Sequence, residues 1–168
     1  MAATLVEPVR ERITVAAPPD EAFAAFTEEL NRWWPRAASW SGDVLEAVGI
    51  EPRVGGFLWE RGPHGFRADF GRVQAWEPPH RLVFSWQVGP DRAPEPNPAR
   101  ASEVEVRFRA AGGKTRVELE HRGFERHGPG GAAYRDGMAS ADGWPGILEA
   151  YAAALQRRSE APWEGLTT

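Results

Sequence analysis

The 168-residue sequence contains no cysteine. Disulfide bonds, thiolate nucleophiles and cysteine-ligated metal sites are therefore excluded. Lysine is almost as rare, because Lys114 is the only one and the other basic residues are arginines. These arginines alternate with acidic residues along the chain, and the net charge is −4. Since nucleic-acid binding requires a concentrated basic surface, we predict no nucleic-acid partner.

Long apolar segments are also missing. No stretch approaches the roughly 20 apolar residues that span a bilayer, and the first residues do not resemble a signal peptide. We therefore expect a cytoplasmic protein with no membrane span. The length predicts a single domain over residues 1–168, with its core over 9–157 and a loosely held tail over 158–168.

Aromatic residues are abundant by contrast. Eight Trp and eight Phe are too many for the surface of a chain of this length. Most of them must therefore lie in a packed core or line an apolar cavity. The order of the secondary-structure elements bears on this choice.

Alternation of apolar and polar residues predicts a sheet. Val9–Val15 alternates with a period of two, and the same pattern recurs six times further along the chain. Between the first two strands, AAPPDEAFAAF and ELNRWWP predict two short helices, the second of which ends at Trp34 before Pro35. The later strands are predicted at 44–51, 57–61, 66–76, 81–88, 102–110 and 115–121.

The last element is a helix with one apolar face. Ile147, Leu148, Tyr151 and Leu155 follow the spacing of a single helical stripe. The strands before it are joined by connections short enough for antiparallel neighbours, and their sheet needs a cover for its apolar face. A curved sheet wrapped around one helix encloses space between the two. We therefore expect an α+β fold with an internal cavity.

Seven segments of the chain occur in an order that is typical of one superfamily. They are APPDEAFAAFT, Ile50–Gly56, Gly71–Val73, Trp76–Pro79, Arg81–Trp86, Val117–Phe124 and Gly143–Trp144. In this order they resemble the SRPBCC or START-like superfamily, and within it the branch named after the activator of the 90-kDa heat-shock protein ATPase. The resemblance implies a helix-grip fold: a curved antiparallel sheet of about six or seven strands, two short helices after the first strand, and a long C-terminal helix over the concave face. It also implies the activities of the superfamily, whose members bind lipids, sterols or other small apolar molecules, and some of whose relatives are cyclases, aromatases or hydrolases.

His121 interrupts a regular pattern. Val117 and Leu119 define the apolar side of the last predicted strand, and His121 is the next residue on that side. Three roles remain open for it: a structural histidine hydrogen-bonded near the start of the final helix, a polar contact to a ligand, or a catalytic base. A histidine is the side chain best suited to acid–base work near neutral pH.

Other chemical motifs are sparse. The four histidines show no metal-ligand spacing, so we predict neither a metal site nor a cofactor. No G-x-S-x-G motif is present, and Ser85 is expected on the outer face. Glu46 shares the parity of Val44 and Val48 and is a weak candidate for an acid–base group among aromatic residues. The alternative for Glu46 is an ion pair with an arginine such as Arg72.

We predict an apolar small-molecule site lined mostly by aromatic side chains. Trp33 and Trp34 are expected at its mouth, and the proline-rich loop 89–99 is expected to act as a lid. A packed core is the alternative for these residues. The predicted ligand-binding residues are Trp33, Trp34, Phe57, Trp59, Phe70, Phe84, Trp86, Phe108, His121, Trp144, Leu148 and Tyr151.

Three functions are compatible with these features. The first is a binding domain for a small apolar or aromatic ligand, supported by the aromatic residues and by the lack of a recognisable catalytic set. The second is a cyclase- or hydrolase-type enzyme in which His121 is the acid–base group, assisted by Glu46 or Tyr151. The third, a regulator of a chaperone ATPase, is favoured only by the family name, so a chaperone partner is not expected. A homodimer is compatible with the sequence.

Overall fold

The computed structural model describes residues 5–160. These residues form seven strands and four helices, together with short 3₁₀ turns in the connections. In chain order the elements are β1 (Val9–Val15), α1 (Pro19–Thr27), α2 (Leu30–Trp33), β2 (Ala47–Ile50), β3 (Phe57–Arg61), β4 (Arg67–Glu77), β5 (Arg81–Trp86), β6 (Ser102–Ala111), β7 (Lys114–Arg122), α3 (Gly131–Met138) and α4 (Trp144–Glu160).

All seven strands belong to one antiparallel sheet in the order β1-β7-β6-β5-β4-β3-β2. The register shifts within β3–β4 and within β4–β5, and such irregularities bend strands and increase their twist. The sheet is therefore curved, and α4 packs against β1, α1 and α2. The predicted helix-grip α+β fold is confirmed.

The centre of the molecule is a closed aromatic core. The rings of Phe26 and Tyr151 pack edge to face with centroids 5.2 Å apart, and Trp33 lies 5.0 Å from Tyr151. Their polar tips are satisfied: Tyr151 Oη donates to the Ala22 carbonyl oxygen at 2.6 Å, and Trp33 Nε1 donates to that of Ala25 at 2.8 Å. Because buried polar atoms need partners, these bonds allow both side chains to be fully enclosed.

The predicted boundaries differ most from the structure in three places. The segment predicted as a strand at 44–51 begins with a 3₁₀ turn at Gly42–Val44, and β2 covers only its second half. Strand β5 ends at Trp86, because Val88 instead forms an isolated bridge with Pro94. Helix α4 continues to Glu160, so residues 158–160 of the predicted tail are helical. The rest of that tail lies outside the described residues.

The predicted facing of β3 is wrong. Leu58 and Glu60 are buried on the inner face, whereas Phe57 and Trp59 lie on the outer one. Arginines cover these outer rings: the Arg72 guanidinium lies 4.5 Å from the centroid of Phe57, and Arg67 lies 5.6 Å from that of Trp59. Three consecutive apolar residues define no unique alternation, so the pattern could not select a face.

Candidate functional site

A cavity of about 500 Å³ lies at one end of the sheet. The inner face of β3–β5 forms one side of it, and helix α3 and the first turn of α4 form the other. It does not lie under the middle of α4, where the closed core is located. Its walls are mainly aromatic and aliphatic, formed by Trp34, Phe70, Trp86, Met138 and Ile147. An apolar cavity of this size is the usual form of a small-molecule site.

Two loops border the cavity and contact each other. Trp40 Nε1 donates a hydrogen bond to the Arg92 carbonyl oxygen at 2.5 Å, which joins the loop after α2 to the proline-rich loop 89–99. Both Pro90 and Arg92 line the cavity, so this loop supplies part of its rim. A backbone pair between Glu95 N and the Gln87 carbonyl oxygen, 2.9 Å apart, attaches the loop to the sheet.

Glu60 places a carboxylate in this apolar cavity. The residue is only 2% exposed and lies on the inner face of β3. Its two oxygens accept hydrogen bonds from the backbone N–H groups of Trp40 at 3.0 Å and Ser41 at 2.8 Å. Glu60 therefore holds the loop after α2 in place and leaves an acceptor group at the wall.

Glu46 does not reach the cavity. Its side chain is 49% exposed, and its carboxylate lies 3.8 Å from the Arg61 guanidinium. The predicted inward orientation of Glu46 is wrong, whereas the alternative of an ion pair agrees with the structure, with Arg61 in place of Arg72. Glu60 is the buried acid of this region.

Tyr134 supplies a second polar group from α3. Its hydroxyl oxygen accepts a hydrogen bond from Trp86 Nε1 at 2.7 Å. Burial raises the pKa of Tyr134 to about 12, although the bond from Trp86 opposes this rise. The phenol therefore keeps its proton at neutral pH and can donate a hydrogen bond.

His121 belongs to a buried hydrogen-bond chain behind the cavity wall. Trp144 Nε1 donates to His121 Nδ1 at 2.9 Å, and His121 Nε2 lies 2.6 Å from Ser102 Oγ. Because an indole nitrogen can only donate, Nδ1 is the acceptor and Nε2 carries the proton of the neutral ring. Ser102 Oγ continues the chain to His127 Nε2 at 2.7 Å.

The surroundings keep His121 neutral. Burial holds its pKa well below the ordinary value of 6.5, and the nearby His127 lowers it further. The ring is fully buried and packs against Phe124, 4.1 Å away between centroids, and against Trp86 at 5.7 Å. Trp86 contacts the cavity and His121 does not line it. This placement corresponds to a structural histidine at the start of α4.

Comparison with known proteins identifies the family. Residues 16–156 match the model of the family described as activator of Hsp90 ATPase homolog 1-like protein. The chain belongs to this family. The match covers the strands, helices and loops that form the cavity, and the resemblance proposed from the sequence is confirmed. No curated protein matches the chain.

Solved structures with a similar fold include two above 25% identity. The anthrahydroquino-γ-pyrone synthase Txn09 is 33% identical, with a TM-score of 0.64 over 89% of this chain and 97% of that one. CalC from Micromonospora echinospora, a self-sacrificing resistance protein, is 30% identical, with a TM-score of 0.62 over 90% and 95% of the two chains. Protein MLL2253 from Mesorhizobium loti, at 21% identity and a TM-score of 0.62 over 90% and 98%, shares the fold.

Three of the predicted ligand-binding residues line the cavity: Trp34, Phe70 and Trp86. Phe57 and Trp59 lie on the outer face, as described above. Trp33, which was expected at the mouth, is 5% exposed and packs in the closed core. The remaining predicted residues are also buried without lining the cavity: Phe84, Phe108, His121, Trp144, Leu148 and Tyr151.

Sequence reasoning missed several lining residues. Tyr134 and Met138 lie four positions apart on α3, which is the spacing of one helical face, and this signal could have identified them. Trp40 and Glu60 carried no such signal, because the loop between α2 and β2 has no periodicity and β3 has an ambiguous one.

Within residues 5–160, no group of three or more His, Asp or Glu side chains is arranged to hold a metal ion. No helix in the same part of the chain is both long and apolar enough to cross a membrane.

Proposed function

We propose that this protein is a cytoplasmic binding domain for a planar aromatic small molecule, held in the cavity at the end of the sheet. The observation that carries this proposal is the aromatic lining. Trp34, Phe70 and Trp86 border a space of about 500 Å³, with ring centroids 6.1 to 6.4 Å apart.

Aromatic walls favour flat aromatic ligands for a physical reason. Offset-stacked and edge-to-face ring contacts contribute about 0.5–1.5 kcal/mol beyond the burial of apolar area. The side chains that form the walls are already held by their neighbours: Trp86 by the bond to Tyr134, and Trp34 by packing against Trp33 and Trp144. A ligand therefore meets walls that need little ordering, which lowers the cost of binding.

The similar solved proteins support a small-molecule role. Txn09 is described as an anthrahydroquino-γ-pyrone synthase, a name that denotes a fused aromatic product, and CalC as a self-sacrificing resistance protein. Both align with about nine tenths of this chain. We infer by this similarity that the ligand is a fused-ring aromatic compound.

The test is a pair of substitutions on α3. Ala132 and Ala133 are adjacent and exposed, but only Ala133 lines the cavity. A tryptophan at Ala133 obstructs the space, so A133W is expected to weaken the binding of a tricyclic aromatic probe at least about tenfold, whereas A132W retains wild-type affinity. Quenching of tryptophan fluorescence measures the affinity. Failure of the wild-type protein to bind tricyclic probes, or equal affinities for the two variants, would overturn the proposal.

A second candidate, an enzyme that closes a ring on a polyketone-type substrate, is favoured by Glu60. A carboxylate in an apolar cavity can remove a proton from an enol or phenol, and the protonated Tyr134 can donate to a carbonyl oxygen that gains charge. In this candidate enzyme Glu60 and Tyr134 take the acid–base role that the sequence suggested for His121, because His121 does not line the cavity. In this case E60Q abolishes ring closure and still binds the product; unchanged turnover in E60Q would exclude Glu60 as the base.

A further inference from the structure

Glu60 has unused capacity to accept hydrogen bonds. A carboxylate offers about four acceptor positions, and protein N–H groups occupy two of them, from Trp40 and Ser41. No arginine, lysine or histidine forms an ion pair with this carboxylate in the portion of the chain that the structure describes. Each further hydrogen-bond donor stabilises a buried carboxylate that has no cation beside it. A donor group on a bound ligand would therefore supply hydrogen bonds that the protein itself does not provide.

Tyr134 has an unused hydrogen-bond donor, whereas Glu60 has unused acceptor positions. Its oxygen accepts from Trp86 Nε1, and among residues 5–160 its own proton is donated to no protein acceptor. Since the phenol remains protonated at neutral pH, it can donate one hydrogen bond into the cavity. A carbonyl oxygen on the occupant is the natural acceptor.

The two groups stand on different elements, Glu60 on β3 and Tyr134 on α3, and both face the same aromatic space. Of the other polar residues that line the cavity, Arg92, Ser140 and Asp142 are exposed at the rim, where water solvates them. Ser39 is partly buried, but its hydroxyl already donates to the Arg36 carbonyl oxygen and accepts from the Gly42 N–H. Selection by polar contacts therefore depends on the two enclosed groups, because water competes less for them.

We infer that Glu60 and Tyr134 make this cavity specific for planar hydroxyaryl ketones, with the ligand hydroxyl donating to Glu60 and the ligand carbonyl accepting from Tyr134. This inference rests on the proposed binding function and assigns the chemistry that the aromatic walls alone do not select. An aromatic hydrocarbon of the same shape leaves both protein groups without their partners. A ligand whose hydroxyl is alkylated leaves Glu60 without a donor.

Four planar tricyclic probes of matched size test this selectivity: fluorene, fluorenone and their hydroxylated derivatives hydroxyfluorene and hydroxyfluorenone. Their affinities are measured by quenching of tryptophan fluorescence at neutral pH in the wild-type protein, E60Q and Y134F. In the wild-type protein hydroxyfluorenone is expected to bind at least about tenfold more tightly than fluorene, since each retained bond contributes a substantial share of such a factor.

The variants separate the two contacts. E60Q is expected to remove the preference for each hydroxylated probe over its parent, and Y134F the preference for each ketone over its hydrocarbon. Each preference is a ratio of two affinities within one variant, so a loss shared by all four probes, from a loosened loop or from Trp86 without its acceptor, cancels. If E60Q fails to fold because the loop after α2 loses its anchor, the wild-type probe series and Y134F still decide the question.

The outcomes distinguish this inference from the proposed function. Equal affinities of the wild-type protein for all four probes would overturn the selectivity and leave aromatic binding in place. Absence of binding by every probe would overturn the aromatic binding function and the inference with it. Wild-type preferences that persist in both variants would show that other residues make the contacts, which also overturns the inference.

Discussion

Trp144 and His121, 23 residues apart in the sequence, are joined by a hydrogen bond that constrains both side chains. The indole N–H fixes the tautomer of the imidazole, and the imidazole fixes the orientation of the first residue of α4. Protonation of His121 at Nδ1 would remove the acceptor for Trp144, and both side chains are fully buried. His127 lies at the other end of the hydrogen-bond chain, beyond Ser102. Burial lowers the pKa of His127 as well, although Glu95 opposes this effect.

At the residue scale we therefore predict a loss of stability in mild acid. Both histidines have a lower pKa in the folded protein than the ordinary 6.5, so below that pH the unfolded chain binds more protons. The stability that neutral His121 contributes is fully present above pH 6.5 and falls as the pH decreases, by about 1.4 kcal/mol per pH unit while the ring stays neutral in the folded protein. His127, which is only half-buried, adds a smaller dependence of the same sign. Urea unfolding between about pH 5 and pH 7 measures this slope.

The variant H121Q tests the assignment of that slope. It is expected to be less stable than wild type at neutral pH, because Trp144 and Ser102 lose a partner, yet its stability should depend less steeply on pH by about one proton. H80Q is the control, since His80 is exposed on a turn. A slope in H121Q as steep as in the wild-type protein would contradict the role of His121.

At the scale of elements, the junction between α3 and α4 determines the shape of the cavity. Met138 ends α3 and Ile147 lies in the first turns of α4, and both line the cavity. The two helices approach closely at this point: a Cβ on Gly143 would lie 2.2 Å from the Met138 carbonyl oxygen. Only glycine allows this approach.

We predict opposite effects for two glycine substitutions in this region. G143A forces the backbone of the junction apart and is expected to lower the free energy of unfolding by about 2 kcal/mol or more. G137A, in α3, meets no atom within 4 Å and is expected to be neutral or to stabilise the protein by up to about 1 kcal/mol, because alanine favours helix. Chemical denaturation measures both, and a similar effect of the two changes would contradict this account.

At the scale of the whole molecule, the fold separates a closed core from an open end. Under α4 the space is filled by the rings of Phe26, Trp33 and Tyr151, whereas at the far end of the sheet loops and α3 enclose the cavity. Elements made of loops and one short helix open more readily than the central strands. Ligand binding is therefore expected to order the end of the molecule that contains the cavity.

We predict that a bound aromatic probe stabilises the protein by mass action. At one hundred times the dissociation constant the free energy of unfolding rises by about 2.7 kcal/mol. Hydrogen exchange should slow mainly in segments 36–46, 89–99 and 131–142, and little in β6 and β7, which are already protected. The A133W variant is the control and should show neither change. Slowing spread evenly over the chain would place the ligand elsewhere or indicate a global effect.

The sequence allowed the fold and part of the site to be predicted. The alternation in β7 placed Val117 and Leu119 on the apolar side of the strand, and both are buried. Trp34 and Trp86, two of the residues predicted to line an apolar site, line the cavity, but neighbouring Trp33 packs in the core. Adjacent residues such as Trp33 and Trp34 point in different directions, and the local sequence does not show which other elements their side chains will contact.

Sequence by itself determined the order of the elements, the antiparallel sheet and the apolar stripe of α4, because periodicity and turn residues act over a few positions. Only the tertiary structure decided that Glu60 faces the cavity and that Trp59 faces arginines, because three successive apolar residues allow either register. The place of the cavity was likewise set by where loops and α3 leave space beyond the packed core. Such space depends on distances between elements far apart in the chain, which no local pattern encodes.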